Sequence, residues 1–208
     1  MVIFLKKAMI YIHGRYETEQ AAQKYKDSCP GYELYGFKYS DSENAPWLVD
    51  ERLKALYDSL RGEYDAVGVI GNSIGAYFAL YSLAGRDVEK ALFISPLFDV
   101  EGNILSIMHY YGLTEAELKA RGEVKTKYGR LLSWPYLELV RKTKIGWKVP
   151  TYILYGENDR LNSRESVERF AAEHGAELTI MPGGEHWFHT EEQLAFLNNW
   201  MKSVLPDS

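Results

Sequence analysis

The chain has 208 residues, 46% of them hydrophobic and 25% charged, with a formal net charge of −5. That length and apolar content suit one globular domain with a sizeable core, and the acidic balance, with no long Lys/Arg cluster, excludes an electrostatic surface for nucleic acid. A single cysteine, Cys29, excludes an internal disulfide.

The first residues, Met1-Val2-Ile3-Phe4-Leu5-Lys6-Lys7, carry their charges after the apolar stretch, the reverse of a secretory signal. No apolar run approaches membrane-spanning length. The expectation is a soluble, cytoplasmic protein that does not partner a membrane. Ala8–Ile12 reads as a first strand and ends at His13-Gly14. Tyr32–Phe37 reads as a second. Pro46 suits the first turn of a helix, with Val49, Leu53, Leu56 and Leu60 on one face.

Ala66–Ile70 is a continuous apolar run, as expected of a strand covered on both faces. It leads into Gly71-Asn72-Ser73-Ile74-Gly75 and then a helical run from Ala76 to Leu83. A G-x-S-x-G turn between strand and helix has the form of a nucleophile elbow. The strained turn lifts the serine hydroxyl clear of the sheet. The flanking glycines let the two backbones approach, and the Ile74 N–H points at a carbonyl under attack. The bland alternative is a Gly/Ser turn that only connects two elements; its place at the boundary, and the partners that follow, favour the elbow.

Ala91–Ile94 reads as the next strand, followed by Ser95-Pro96-Leu97-Phe98-Asp99. Some fifty residues then separate it from the strand Thr151–Tyr155, far more than a crossover of about a dozen residues requires. Residues 102–148 read as a lid insert of two or three short helices. The insert contains Ile104, Leu105, Ile107, Met108, Tyr110 and Tyr111, then Thr114-Glu115-Ala116-Glu117 as a second helix start, and continues with Leu131, Leu132, Trp134, Pro135, Tyr136 and Leu137. The competing reading is an ordinary helical connection. Asn162 and Glu165 form a capping box for a helix burying Val167, Phe170 and Ala171, which Gly175 stops. Ala176–Ile180 is the last strand. A second capping box, Thr190 and Gln193, opens a helix expected to bury Leu194, Leu197, Met201 and Val204. Strands alternating with helices point to a doubly wound α/β fold with a mainly parallel sheet of about six strands, all in one domain spanning residues 1–208.

A serine hydroxyl becomes a nucleophile when a base takes its proton, and that base is commonly a histidine held by a carboxylate. His186, in Gly183-Gly184-Glu185-His186-Trp187-Phe188, follows the last strand and suits the base. His189 belongs with the helix start and His174 with a helix end. His109 lies in the insert, as a substrate contact or a partly buried polar residue. Asp159, just past the Thr151–Tyr155 strand, is the preferred acid over Glu157 and Asp99, whose common fate would be a solvated loop or a helix cap. The order Ser73, Asp159, His186 is that of the fold's hydrolases.

With these segments the chain resembles the α/β-hydrolase family along nearly its whole length. The resemblance rests on Tyr11-Ile12-His13-Gly14, the Gly71–Gly75 turn, Val149-Pro150-Thr151 to Asp159, and Gly183-Gly184-Glu185-His186. It implies that His13-Gly14 opens an oxyanion loop, that the Arg15 N–H joins that of Ile74 in holding the oxyanion, and that His13 is structural. Relatives often carry a further glycine or small residue after His-Gly; here Arg15-Tyr16-Glu17 follows, and the Arg15 guanidinium could also meet an acidic substrate group. His13-Gly14 comes almost at once, so the family's early strand hairpin is expected to be missing, and the strand order the resemblance implies is second, first, third, fourth, fifth, sixth. The implied activity is a serine hydrolase acting on a small acyl substrate, with thioesterase, peptidase and acyltransferase chemistry as variants on the same machinery. No metal or organic cofactor is expected, because no Cys/His cluster or nucleotide-binding glycine motif is present. The alternative is a non-catalytic protein of the same fold that binds a ligand or partner under its lid.

Overall fold

The computed structural model describes residues 5–40 and 45–205. The chain divides into two compact units, Asp99–Ile145 and the remainder.

The larger unit is built on β1 (Lys7–Ile12), a 3₁₀ helix (Glu19–Ser28), β2 (Tyr32–Gly36), α1 (Pro46–Arg61), β3 (Ala66–Asn72), α2 (Ile74–Leu83) and β4 (Ala91–Ile94). In the smaller unit come α3 (Val100–Tyr110), α4 (Glu115–Arg121), β5 (Glu123–Lys125), β6 (Leu131–Ser133) and α5 (Trp134–Lys142). The larger unit resumes with β7 (Thr151–Gly156), α6 (Arg164–His174), β8 (Glu177–Met181) and α7 (Glu191–Val204). Its six strands are all parallel, in the order β2-β1-β3-β4-β7-β8. This is the expected order, and all six expected strands are present.

Both faces of the sheet are covered, which is why β1 buries every residue from Ala8 to Ile12. On one face Met9, Tyr11, Ile70, Leu92, Ile94, Leu154 and Met181 pack with the 3₁₀ helix and α7. On the other, α1 and α2 lie against β3 and β1, and Phe170 of α6 meets Phe93 of β4. Each large aliphatic side chain buried this way contributes about 1.5–3 kcal/mol.

The helices depart from expectation in phase. In α1 the buried residues are Val49, Leu53, Tyr57 and Leu60, so Tyr57 takes the place foreseen for Leu56. In α7, Leu194 is 43% exposed and Trp200 is buried beside Leu197, Met201 and Val204. An amphipathic stripe wide enough for three to four residues per two turns leaves its edge positions to tertiary packing. The cap of α6 also differs. Ser163, not Asn162, is the N-cap, accepting from the Ser166 N–H at 3.2 Å, because Asn162 is engaged elsewhere. Gly175 ends α6 in the left-handed region, as expected. At α7 the Thr190 hydroxyl accepts from the Gln193 N–H, but Gln193 Oε1 accepts from His189 N rather than from Thr190.

The Asp99–Ile145 unit is held by its own polar contacts. Asp99 caps α3 through the Gly102 N–H at 2.8 Å. Thr114 and Glu117 form a reciprocal capping box at α4. Arg141 of α5 bonds Glu101 of α3 and grips both carboxylate oxygens of Glu115. The stretch from Leu131 to Leu137 is part strand and part helix. Leu131–Ser133 pairs antiparallel with Glu123–Lys125 as a hairpin, and helix begins only at Trp134, with Pro135 in its first turn. The unit thus holds three helices, within the expected two or three, and a hairpin that was not expected. Met108 is buried, and His109 is an exposed residue of the last turn of α3. Among the described residues no helix is long and apolar enough to cross a membrane.

Candidate active site

Parallel strands put all their C-terminal ends on one edge of the sheet, and the residues singled out from the sequence follow those ends. Ser73 follows β3, Arg15 follows β1, Asp159 follows β7 and His186 follows β8.

The turn at Ser73 is fixed by excluded volume. Ser73 has φ 52° and ψ −116°, a strained conformation for a residue with a side chain. A Cβ at Gly75 would stand 2.1 Å from the Ile12 carbonyl oxygen, and one at Gly71 would stand 2.6 Å from Ala76 Cα. Only glycine fits either place, so strand, turn and helix close tightly around the serine. Ser73 N–H donates to Ile94 O at 2.9 Å and its carbonyl accepts from Leu97 N at 3.0 Å, tying the turn to β4 and the residues after it. Ile74 is the first residue of α2, where an N–H has no intrahelical acceptor.

The segment after β1 lies beside the serine. A Cβ on Gly14 would be 3.3 Å from Ser73 Cβ. His13 is buried, its ring stacked on Tyr39 at 4.0 Å, and its Nδ1–H donates to Gly14 O at 2.8 Å. The Tyr39 hydroxyl donates to the His13 carbonyl. These contacts fix the loop that carries Arg15, a half-buried residue.

The two loops after β7 and β8 are joined along their length. Glu157 N donates to Met181 O, Asn158 N to Gly184 O, and Gly183 N to the Glu157 carboxylate at 2.9 Å. Glu157, weighed as an alternative acid, thus serves as a loop tie, and Asp99 is a helix cap. His186 Nδ1–H donates to Asp159 Oδ2 at 2.8 Å, with the Asp159 side chain wholly buried. Asp159 Oδ1 accepts from the N–H groups of Leu161 and Asn162 at 2.8 and 3.0 Å. One carboxylate oxygen therefore anchors the Asp159 side chain and the other faces the imidazole. A ring that donates through Nδ1 keeps its lone pair on Nε2.

Two residues in this arrangement escaped the sequence reading. Ser95, fully buried with φ 44°, donates its hydroxyl to His186 O at 2.8 Å. Its own carbonyl accepts from the Asn162 side chain. Ser95 and Asn162 thus clamp the histidine loop to the aspartate loop from below. The position of Ser95 just past a strand, at the same edge as Ser73, was the available signal. Phe188, the other, is likewise strained, with φ 43°. Its ring is buried in the core cluster, while the neighbouring Trp187 stands 64% exposed with its ring edge-to-face with His186 at 5.2 Å.

No family profile matches this sequence. No curated protein matches it either. Solved structures do resemble it in fold. Est1E from Butyrivibrio proteoclasticus superposes with a TM-score of 0.76 at 15% identity, over 98% of this chain and 88% of that one. A monoglyceride lipase from Saccharomyces cerevisiae gives 0.67 at 16% identity, over 97% and 86%. A Xanthomonas campestris protein described as an α/β serine hydrolase without a lid gives 0.66 at 14% identity, over 100% and 86%.

Proposed function

Starting from the α/β-hydrolase fold that these likenesses establish, we propose that the chain is a serine hydrolase of carboxylesterase type, acting on a small acyl substrate. The observation that carries this reading is the coincidence, at one sheet edge, of a serine strained to φ 52° and a buried Asp159–His186 pair. A protein that only bound a ligand would have no need to hold a serine in a strained turn and to orient a histidine through a buried carboxylate.

In this reading Ser73 Oγ attacks the substrate carbonyl while His186 Nε2 takes its proton. Asp159 holds the ring in the tautomer that leaves Nε2 free and stabilises the imidazolium that forms. The N–H groups of Ile74 and Arg15 receive the oxyanion. The leaving alcohol takes the proton back from His186, an acyl group remains on Ser73, and water activated by His186 then releases it. The likeness to esterase and lipase structures supports the reaction class. Small acyl esters are the simplest substrates that this apparatus would accept.

The test is labelling with a fluorophosphonate, together with hydrolysis of p-nitrophenyl esters of increasing acyl length. Covalent modification at Ser73 and turnover of the shorter esters are expected. A folded protein that neither labels nor turns over any ester would refute the reading and favour a binding protein.

A further inference from the structure

Glu17 lies in the same loop as Arg15, and its carboxylate is drawn inward, with a side chain 24% exposed. Its Oε2 accepts from the Tyr11 hydroxyl at 2.7 Å and from Asn72 Nδ2 at 2.9 Å, and its Oε1 accepts from Lys24 Nζ at 3.1 Å. Tyr11 is fully buried in β1, and Asn72 is the last residue of β3, immediately before Ser73. Burial acts to raise the Glu17 pKa, but the hydrogen bonds from Tyr11 and Lys24, the Lys24 charge and the Asn72 amide outweigh it and hold the carboxyl below its usual range. Burial, then the proximity of Tyr25 and Glu17, keeps the Tyr11 phenol well above its ordinary range, so it remains a donor.

The loop between Gly14 and Glu17 needs such a fastening. Tyr16 has φ 65° and is 82% exposed, so its side chain contributes little packing to hold an unfavourable backbone conformation. On one side of Arg15 the loop abuts the serine through Gly14. On the other it is tied, through Glu17 and Asn72, to the end of the strand that carries the serine.

Resting on the hydrolase reading above, we infer that Glu17 is a positioning residue: it registers the Arg15 N–H against Ser73 by bonding Asn72. A carboxylate suits this place. Glutamine would have to turn an NH₂ donor toward either the Lys24 ammonium or the Tyr11 and Asn72 donors, so one side of the tie loses its acceptor. A misplaced oxyanion donor weakens a contact made in the transition state, which lowers kcat and leaves KM nearly unchanged.

The experiment compares wild type, Glu17→Gln, Asn72→Ala and the double variant. The readouts are kcat and KM on p-nitrophenyl acetate, fluorophosphonate labelling and the melting temperature. Each single variant is expected to lose roughly ten- to a hundred-fold in kcat, with KM within about three-fold of wild type. The double variant should be no more than about three-fold worse than the weaker single, because both cut one tie. Wild type that does not label would refute the hydrolase reading and this inference with it. Reactive wild type beside a Glu17→Gln that keeps kcat within about two-fold, or singles whose losses multiply in the double variant, overturns this inference alone. So does a loss that disappears when rates are normalised to folded, titratable enzyme. Should Glu17→Gln fail to fold, Asn72→Ala leaves the Tyr11 and Lys24 bonds in place and is decided by the same kcat and KM criteria.

Discussion

The turn at Ser73 and the paired loops at Asp159 and His186 are held in place by different forces. The turn is a matter of what cannot fit. Its two glycines stand where any Cβ would strike backbone, and the serine between them has no unstrained alternative. The loops depend on what is bonded. Asp159, Asn162, Ser95 and His186 form a chain of hydrogen bonds running from β7 through the end of β4 to the end of β8. Steric definition is local and fails abruptly when a group is added. A hydrogen-bonded network is non-local and fails by degrees as its members are removed.

The largest expected effect comes from the proposed nucleophile. Ser73→Ala should lower kcat on the order of 10⁶-fold with little change in melting temperature, since alanine meets the same strained backbone. Ser73→Gly sharpens the point: it should be equally inactive but melt higher than Ser73→Ala. Glycine escapes a strain on the order of 1–3 kcal/mol and gives back about 0.5–1 kcal/mol in unfolded-chain entropy. Near wild-type hydrolysis by either variant would remove Ser73 from the mechanism.

Next comes the proposed acid. Asp159→Asn should reduce kcat by roughly 10⁴-fold, because an amide can accept the wrong imidazole tautomer. Asp99→Asn should be nearly silent, since asparagine caps a helix about as well as aspartate. Glu157→Gln should also be mild, retaining an acceptor for Gly183. If Asp99→Asn were the crippling change in steady-state kinetics, the assignment of the acid would be wrong.

Gly75→Ala tests the steric side. A methyl group 2.1 Å from the Ile12 carbonyl oxygen must push β1 and α2 apart. A cost of about 3 kcal/mol is expected, seen as a drop in melting temperature of roughly 6–12 °C, with activity falling alongside. Unchanged melting would show that the turn can relax and is not fixed by excluded volume.

The smallest effect tests the bonded side. Ser95→Ala removes the donor to His186 O and should cost about 1–3 kcal/mol, with one buried carbonyl left without its partner. Activity should fall by roughly ten-fold rather than vanish, because the Asp159–His186 bond persists. Loss as deep as that of Asp159→Asn would mean that the clamp, and not the acid, orients the ring.

What could be read from the sequence follows the same division. The G-x-S-x-G turn, the six strands, their order by family resemblance, and the Thr114 and Gly175 helix boundaries all follow from short stretches of chain whose side-chain sizes and backbone preferences act locally. Burial phase did not: Tyr57 and Trp200 face the core where Leu56 and Leu194 were expected, because several rotations of an amphipathic helix satisfy the same pattern and the opposing surface selects one. The hairpin at Glu123–Ser133 was hidden because its strands are three residues each, too short to show alternation. Asn162 had the composition of a cap, yet Ser163 takes that place while Asn162 bridges Asp159 and Ser95. The sequence by itself determined which residues could carry the chemistry and which strand each would follow. Only the tertiary structure decided how they are held, since Ser95, Asn162, Glu17 and Asn72 are bonded to partners far along the chain, and a hydrogen bond across such separations leaves no periodic trace in the order of residues.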